Sequence, residues 1–220
     1  VSKQRGKTKT KTHFWDIENF AATYAFNEQY KRNISTAWSF NRQYNASLNY
    51  NFSKQVKSIE PFKNSKAKIL QSKWLALVKD LNFTPMPNQF NFSTNVQRNY
   101  IEVRNRDITA LPGYDFTRTL YNKTFNISRV YAVRWDISKN IKADLAANND
   151  GRVLEPFDNE YWRPGNKRED VRERLLKGGL TTAYRHNANV NINIPINKIP
   201  IFDFISSATY KYTTSYQWQR

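Results

Sequence analysis

The sequence predicts an all-β protein, an antiparallel sheet of about seven or eight long strands with short helical loop insertions. Three observations carry this. Apolar and small polar residues alternate with period two over long stretches. The polar half of the alternation is Asn, Ser, Thr and Gln more than Lys and Glu. Aromatic residues reach 15%, with 13 Tyr, 14 Phe and 6 Trp, while mean hydropathy is only −0.79. Disordered chains are poor in aromatics, so disorder does not fit.

Residues 1–15 form a basic terminal segment crowded with Lys3, Arg5, Lys7, Lys9 and Lys11. Across 16–53 two hairpin strands are expected. Phe20, Ala22, Tyr24 and Phe26 share one parity. Ile34, Thr36, Trp38, Phe40, Tyr44, Ala46, Leu48, Tyr50 and Phe52 share it again, against Ser35, Ser39, Asn41, Asn45, Asn49 and Asn51. The stretch 34–53 reads equally as one strand or as two with a turn near Asn41–Gln43. Residues 54–87 read as an inserted loop with a helix, because Leu70, Trp74, Leu77, Val78 and Leu81 recur at three and four. Strands return across 88–150: Phe90, Phe92 and Val96 first, then Phe125, Ile127, Tyr131, Val133 and Trp135 with the parity flipped, then a shorter strand over 140–147. Across 151–179 a loop holds a short helix with Val171, Leu175 and Leu176, stopped by Gly178-Gly179 as a C-cap. A closing hairpin fills 180–220. Tyr184, His186, Val190, Ile192, Tyr210, Tyr212, Tyr216 and Trp218 line one parity; Asn187, Asn189, Asn191, Thr209, Thr213 and Ser215 line the other.

The 220 residues contain no cysteine, so no disulfide or thiolate metal site is possible. The two histidines, His13 and His186, lie far apart, and His186 reads as filler on an apolar strand face. No Gly-rich phosphate loop, Gly-x-Ser-x-Gly or His-Glu-x-x-His occurs, and Asp16, Glu18 and Glu155 have no motif partner. No enzyme, cofactor or metal is therefore expected. Sequons at Asn33, Asn45, Asn51, Asn91, Asn122 and Asn126 fall on the small-polar parity, so strand composition itself generates them. The net charge of +17 gathers in clusters between strands. These read as solvated loops or as a membrane rim over anionic headgroups, with no nucleic-acid partner expected. The chain begins without Met and ends inside a strand pattern, which reads as a piece of a longer or processed protein.

Two faces of such different chemistry match the wall of a transmembrane β-barrel: low hydropathy, no helical span, apolar residues toward lipid and amides toward a wet lumen. Trp38, Phe40, Leu48, Tyr50, Phe52, Tyr184, Val190, Ile192, Tyr210 and Tyr212 are expected to face lipid. Asn45, Asn49, Asn51, Asn187, Asn189, Asn191, Thr209 and Thr213 are expected to face the lumen. The alternatives are another outer-membrane transport barrel, importer-like or porin-like, and a soluble basic β-sandwich binding module.

Several blocks carry a family resemblance. "NIPINKIPIFDFISSATYKYTTSYQW", "RVYAVRWDISKNIKADLAANNDGRVLEP" and "PFKNSKAKILQSKWLALVKDLNFTPMPNQFNFSTNVQRNY" resemble the SprA (Sov) family of Bacteroidetes outer-membrane proteins, and "DIENFAATYAFNEQYKRNISTAWSF" is similar to the region before them. The chain departs from the family at Leu154, where an Asp is expected. The resemblance implies a very large outer-membrane translocon of the type IX secretion system, needed also for gliding motility. It implies passage of folded secreted cargo, and as partners the remaining strands of the same barrel, a small PorV-like barrel, a plug protein and outer-membrane lipid. Family members are many times longer than this chain, which would form one arc of the wall.

Overall fold

A computed structural model describes residues 13–62, 79–108, 117–155, 167–198 and 204–220. Seven strands form one antiparallel sheet in sequence order: β1 (Phe20–Lys31), β2 (Thr36–Ser53), β3 (Gln89–Asn105), β4 (Leu120–Ser138), β5 (Ile141–Arg152), β6 (Leu180–Ile194) and β7 (Ala208–Gln219). One helix, α1 (Lys167–Leu176), lies between β5 and β6. The sheet does not close on itself, and β1 and β7 are its edges. No helix among the described residues is long and apolar enough to cross a membrane.

The stretch 36–53 is a single strand of 18 residues, bent by a register shift between Thr36 and Trp38 rather than broken near Asn41. Strand β1 starts at Phe20 because Ile17–Asn19 is a 3-10 turn. The strand expected over 140–147 runs instead to Arg152, since β4 and β6 both pair with its polar half. Most of the helix expected around Leu70, Trp74, Leu77 and Val78 lies outside the described residues.

Apart from register shifts near three strand ends, at Thr36/Trp38, Asp136/Ser138 and Asp150/Gly151, each parity stays on one face. A single row of partners reads Phe20, Tyr50, Phe92, Tyr131, Ala147, His186, Tyr216. The parity flip at β4 follows from its pairing: the odd residues Phe125, Ile127 and Tyr131 meet Arg98, Val96 and Phe92. The same row also slides along the sheet. Phe20 is the first residue of β1, whereas Tyr216 is the ninth of β7, which begins at Ala208 and runs the same way. The slide is about 4 Å per strand, against roughly 4.8 Å between strands.

The turn after β1, the loop after β3 and the segment after β5 emerge at one end of the sheet, the α1 rim. The loop after β2, the Lys139–Asn140 turn and the loop after β6 emerge at the opposite rim. At the α1 rim, Phe125, Ile127 and Val153 form a buried cluster with Val96, Val171 and Leu175 packed on it. Each such buried side chain contributes about 2 kcal/mol by area removed from water. Helix α1 is otherwise charged except for Leu176, which is exposed, so the pair Val171 and Leu175, one turn apart, is what docks it. It ends as the Gly pair requires. Gly178 and Gly179 have φ of 83° and 69°; Gly179 N–H donates to Arg174 O at 2.8 Å and Gly178 N–H to Leu175 O at 2.9 Å. This is the Schellman pattern, which strains any residue carrying a Cβ at the left-handed position.

Candidate functional site

The feature that could perform a function is the pair of sheet faces. On the first, aromatic rings pack tilted against one another across strands: Phe20 on Tyr50 at 4.8 Å, Phe26 on Tyr44 at 4.9 Å, Tyr30 on Phe40 at 4.9 Å and Phe92 on Tyr131 at 5.1 Å. Such cross-strand pairs are the stabilising unit of a sheet, and they use the side-chain alternation read from the sequence. All ten residues expected to face lipid lie on this face. Tyr210 and Tyr212 are exposed, and Trp38, Phe40, Tyr184, Val190 and Ile192 are half-buried. Leu48 is exposed.

Tyr50 and Phe52 differ from that expectation. They are 4% and 3% exposed because the segment before β1 folds over them. Phe14 packs on both rings at 5.3 and 5.5 Å, and Tyr50 Oη–H donates to Phe14 O at 2.7 Å. Phe83 covers Trp135, whose Nε1–H donates to Thr84 O at 2.9 Å. The covers sit at opposite rims: Phe14 and Phe83 at one, α1 at the other.

The second face is a network of small polar groups. Thr23 and Ser47 hydroxyls meet at 2.6 Å, Ser93 Oγ–H donates to Asn49 Oδ1 at 2.6 Å, and Ser128 Oγ–H donates to Asp150 Oδ1 at 2.6 Å. Asn45, Asn49, Asn51, Asn187, Asn189, Asn191, Thr209 and Thr213 all lie on it. A groove of about 430 Å³ runs along it, lined by Gln89, Asn91, Arg134, Asp144, Asn187 and Asn189. Its one ion pair, Arg134 Nε with Asp144 Oδ1 at 3.8 Å, leaves the groove without a strong field of either sign.

Among the described residues no cluster of three or more His, Asp or Glu could hold a metal. His186 lies on the aromatic face, its ring stacked on Tyr216 at 5.6 Å. A further sequon, Asn82-Phe83-Thr84, has both its Asn and its Thr buried.

The strand alternation hid one set of residues. Glu28, Arg42, Arg98, Glu102, Arg104, Lys123 and Arg129 all sit on the aromatic face. Arg42 Nε bonds Glu28 Oε2 at 2.8 Å, Arg98 pairs with Glu155, and Arg129 Nη2 donates to Gly178 O at 2.8 Å. Arg42 sits on the apolar parity directly between Phe40 and Tyr44, which was the available signal.

Together these define an open, antiparallel, two-faced β-sheet, aromatic on one side and amide-rich on the other. Compared with protein-family models and with curated proteins, the chain matches none of them.

Proposed function

We propose that this sheet is an arc of the wall of a large outer-membrane β-barrel that conducts folded secreted proteins, the role implied by the resemblance to the SprA translocons. The observation that carries this is the continuous separation of faces combined with a steady slide between strands. A slide of about 4 Å per strand corresponds to a tilt of roughly 40°, inside the 35–45° of membrane barrels. The aromatic face meets lipid and the amide face lines water. A lumen lined mainly by Asn, Ser and Thr, in which Arg134, Lys142, Arg185 and Lys211 are set against Asp136, Asp144 and Asp150, stays wet while holding passing cargo only weakly, whereas a lining strongly charged with one sign would trap cargo of the opposite sign. In hydrocarbon an unpaired strand edge costs several kcal/mol per backbone group, so β1 and β7 pair with further strands of the barrel. A PorV-like barrel and a plug protein are the partners the resemblance adds.

One observation favours a second reading, a soluble basic β-domain. The segments around Phe14, Phe83 and α1 cover part of the aromatic face, as a second layer would. Sedimentation of the chain without detergent separates the two. The membrane wall predicts concentration-dependent association. A concentration-independent monomer with cooperative thermal unfolding would overturn it.

A further inference from the structure

The covers of the aromatic face differ in what they leave exposed. Every residue of α1 is charged except Val171, Leu175 and Leu176, so the α1 rim suits water. The two covers at the opposite rim are apolar instead. Beside Phe14, Trp15 and Ile17 are 75% and 71% exposed; beside Phe83, Leu81 and Met86 are exposed as well. The two segments are neighbours on the sheet. Phe14 lies 6.2 Å from Phe90, which pairs with Val133, and Phe83 lies 6.3 Å from Trp135, two residues further along that strand. Large apolar side chains gathered in this way mark a contact surface.

The segment before β1 is suited to lie against an apolar medium. Its polar groups are used internally. His13 N–H donates to Asp16 Oδ2 at 2.8 Å, Asn19 N–H to Asp16 O at 3.0 Å and Asn19 Nδ2–H to His13 O at 3.0 Å, while Phe14 O accepts Tyr50 Oη–H. Irregular backbone is tolerated beside lipid only when such groups are paired. The His13 ring stacks on Trp15 at 5.2 Å, which holds the indole while leaving it exposed.

Depth agrees with this. Trp38 and Phe52 lie on one strand, about 46 Å apart at roughly 3.3 Å per residue. A tilt of about 40° reduces this to about 35 Å along the membrane normal, against an apolar band of about 25 Å, so one end stands outside the band. Charge decides which. On the aromatic face Glu28, Arg42, Arg98, Arg104 and Arg129 lie toward the α1 rim, whereas the strands present Tyr50, Phe52, Phe90, Trp135, Ile141 and Ile192 toward the opposite one. The uncharged end therefore reaches only to the near boundary of the band. Trp15 and Ile17 stand at that boundary, where a ring with one polar edge is favoured.

We infer that residues 13–19 are an interfacial anchor: Trp15 and Ile17 insert among lipids at the boundary of the apolar band, and the Phe14 contacts with Tyr50 and Phe52 fix the sheet to that depth. The ligand is the glycerol and upper acyl region of a lipid, whatever its headgroup charge. This rests on the membrane-wall reading above, and the test separates the two. The chain has no cysteine, so Trp15→Cys, Ile17→Cys, Leu176→Cys and Val190→Cys can each carry one fluorophore. Each labelled chain is reconstituted from detergent into neutral phosphatidylcholine vesicles in high salt, where the net charge of +17 exerts no pull. The vesicles carry a nitroxide lipid with its spin label either near the glycerol backbone or near the end of the acyl chain. The anchor predicts that the labels at positions 15 and 17 lose their fluorescence to the shallow nitroxide and keep it against the deep one. The label at position 190 shows the reverse, and the one at position 176, equally apolar and exposed but on α1, keeps its fluorescence against both. Positions 15 and 17 unquenched, with position 190 quenched by the deep nitroxide, overturns the anchor, leaves the wall standing and gives the patch to a protein partner. Stronger quenching of positions 15 and 17 by the deep nitroxide also overturns the boundary placement. Position 190 unquenched, with position 17 quenched by the shallow nitroxide, overturns the wall and keeps the anchor as a surface attachment. No quenching at any position overturns both. Ile17→Cys leaves Trp15 in place and Trp15→Cys leaves Ile17, so each label reports on the segment with the other side chain intact.

Discussion

The outer strands β1 and β7 and the inner strands β2–β4 carry the same aromatic face but treat it differently. On β1, Tyr24, Phe26 and Tyr30 are 69%, 50% and 55% exposed; on β7, Tyr210 and Tyr216 are 59% and 52% exposed. On β2–β4 the ends of the face are closed, by Phe14 and Phe83 at one rim and by α1 at the other, so Tyr50, Phe52, Phe125 and Ile127 are buried. The difference in cover lies outside these strands, all of which carry aromatic rings on this face. It depends on which connecting segments are long enough to fold back. A strand face of this kind is a surface in search of cover, and the chain supplies that cover only at the rims. The remaining aromatic area is what the membrane-wall account assigns to lipid.

Substitutions can break this comparison at either region. Phe125→Ala opens the buried cluster under α1 and should cost about 3 kcal/mol. It should be read as lost hydrogen-exchange protection at the amides of Lys177, Gly178 and Gly179. Phe14→Ala removes a half-exposed ring from Tyr50 and Phe52 and should cost about 2 kcal/mol, seen as quicker exchange at the start of β1. Gly178→Ala sets a Cβ at φ 83° against the Arg129 guanidinium and should cost about 1 kcal/mol or somewhat more, loosening α1 while leaving the sheet intact. Tyr24→Ser on bare β1 should change the stability of the chain in mixed micelles by less than about 0.5 kcal/mol. A cost at Tyr24 equal to that at Phe125 would mean that the outer strands are packed after all.

The strands were legible because period two survives any pairing partner, and one parity per strand is enough to name a face. The Gly178-Gly179 stop was legible because the left-handed backbone selects glycine. Other features were hidden for physical reasons. The covers come from residues whose own sequence has no period: Phe14 reads as the end of a basic tail, and Phe83 as part of a loop. Charged residues of the aromatic face such as Arg42, Arg98 and Lys123 were masked because each stands between apolar neighbours two positions away, as Arg42 does between Phe40 and Tyr44. The end of β5 was lost because Asn148, Asn149 and Asp150 interrupt the alternation, whereas pairing with β4 and β6 carries the strand through them.

The central claim is that the two faces meet different media. Single cysteines at Val190 and Tyr212 on the aromatic face, and at Asn187 and Asn189 on the amide face, test it in the membrane-embedded protein with a water-soluble thiol reagent. All four lie on β6 and β7, away from Phe14 and α1, which cover Tyr50 and Phe125. The account predicts rapid labelling of Asn187→Cys and Asn189→Cys, and protection of Val190→Cys and Tyr212→Cys that detergent abolishes. Equal labelling of both pairs before detergent is added would contradict it.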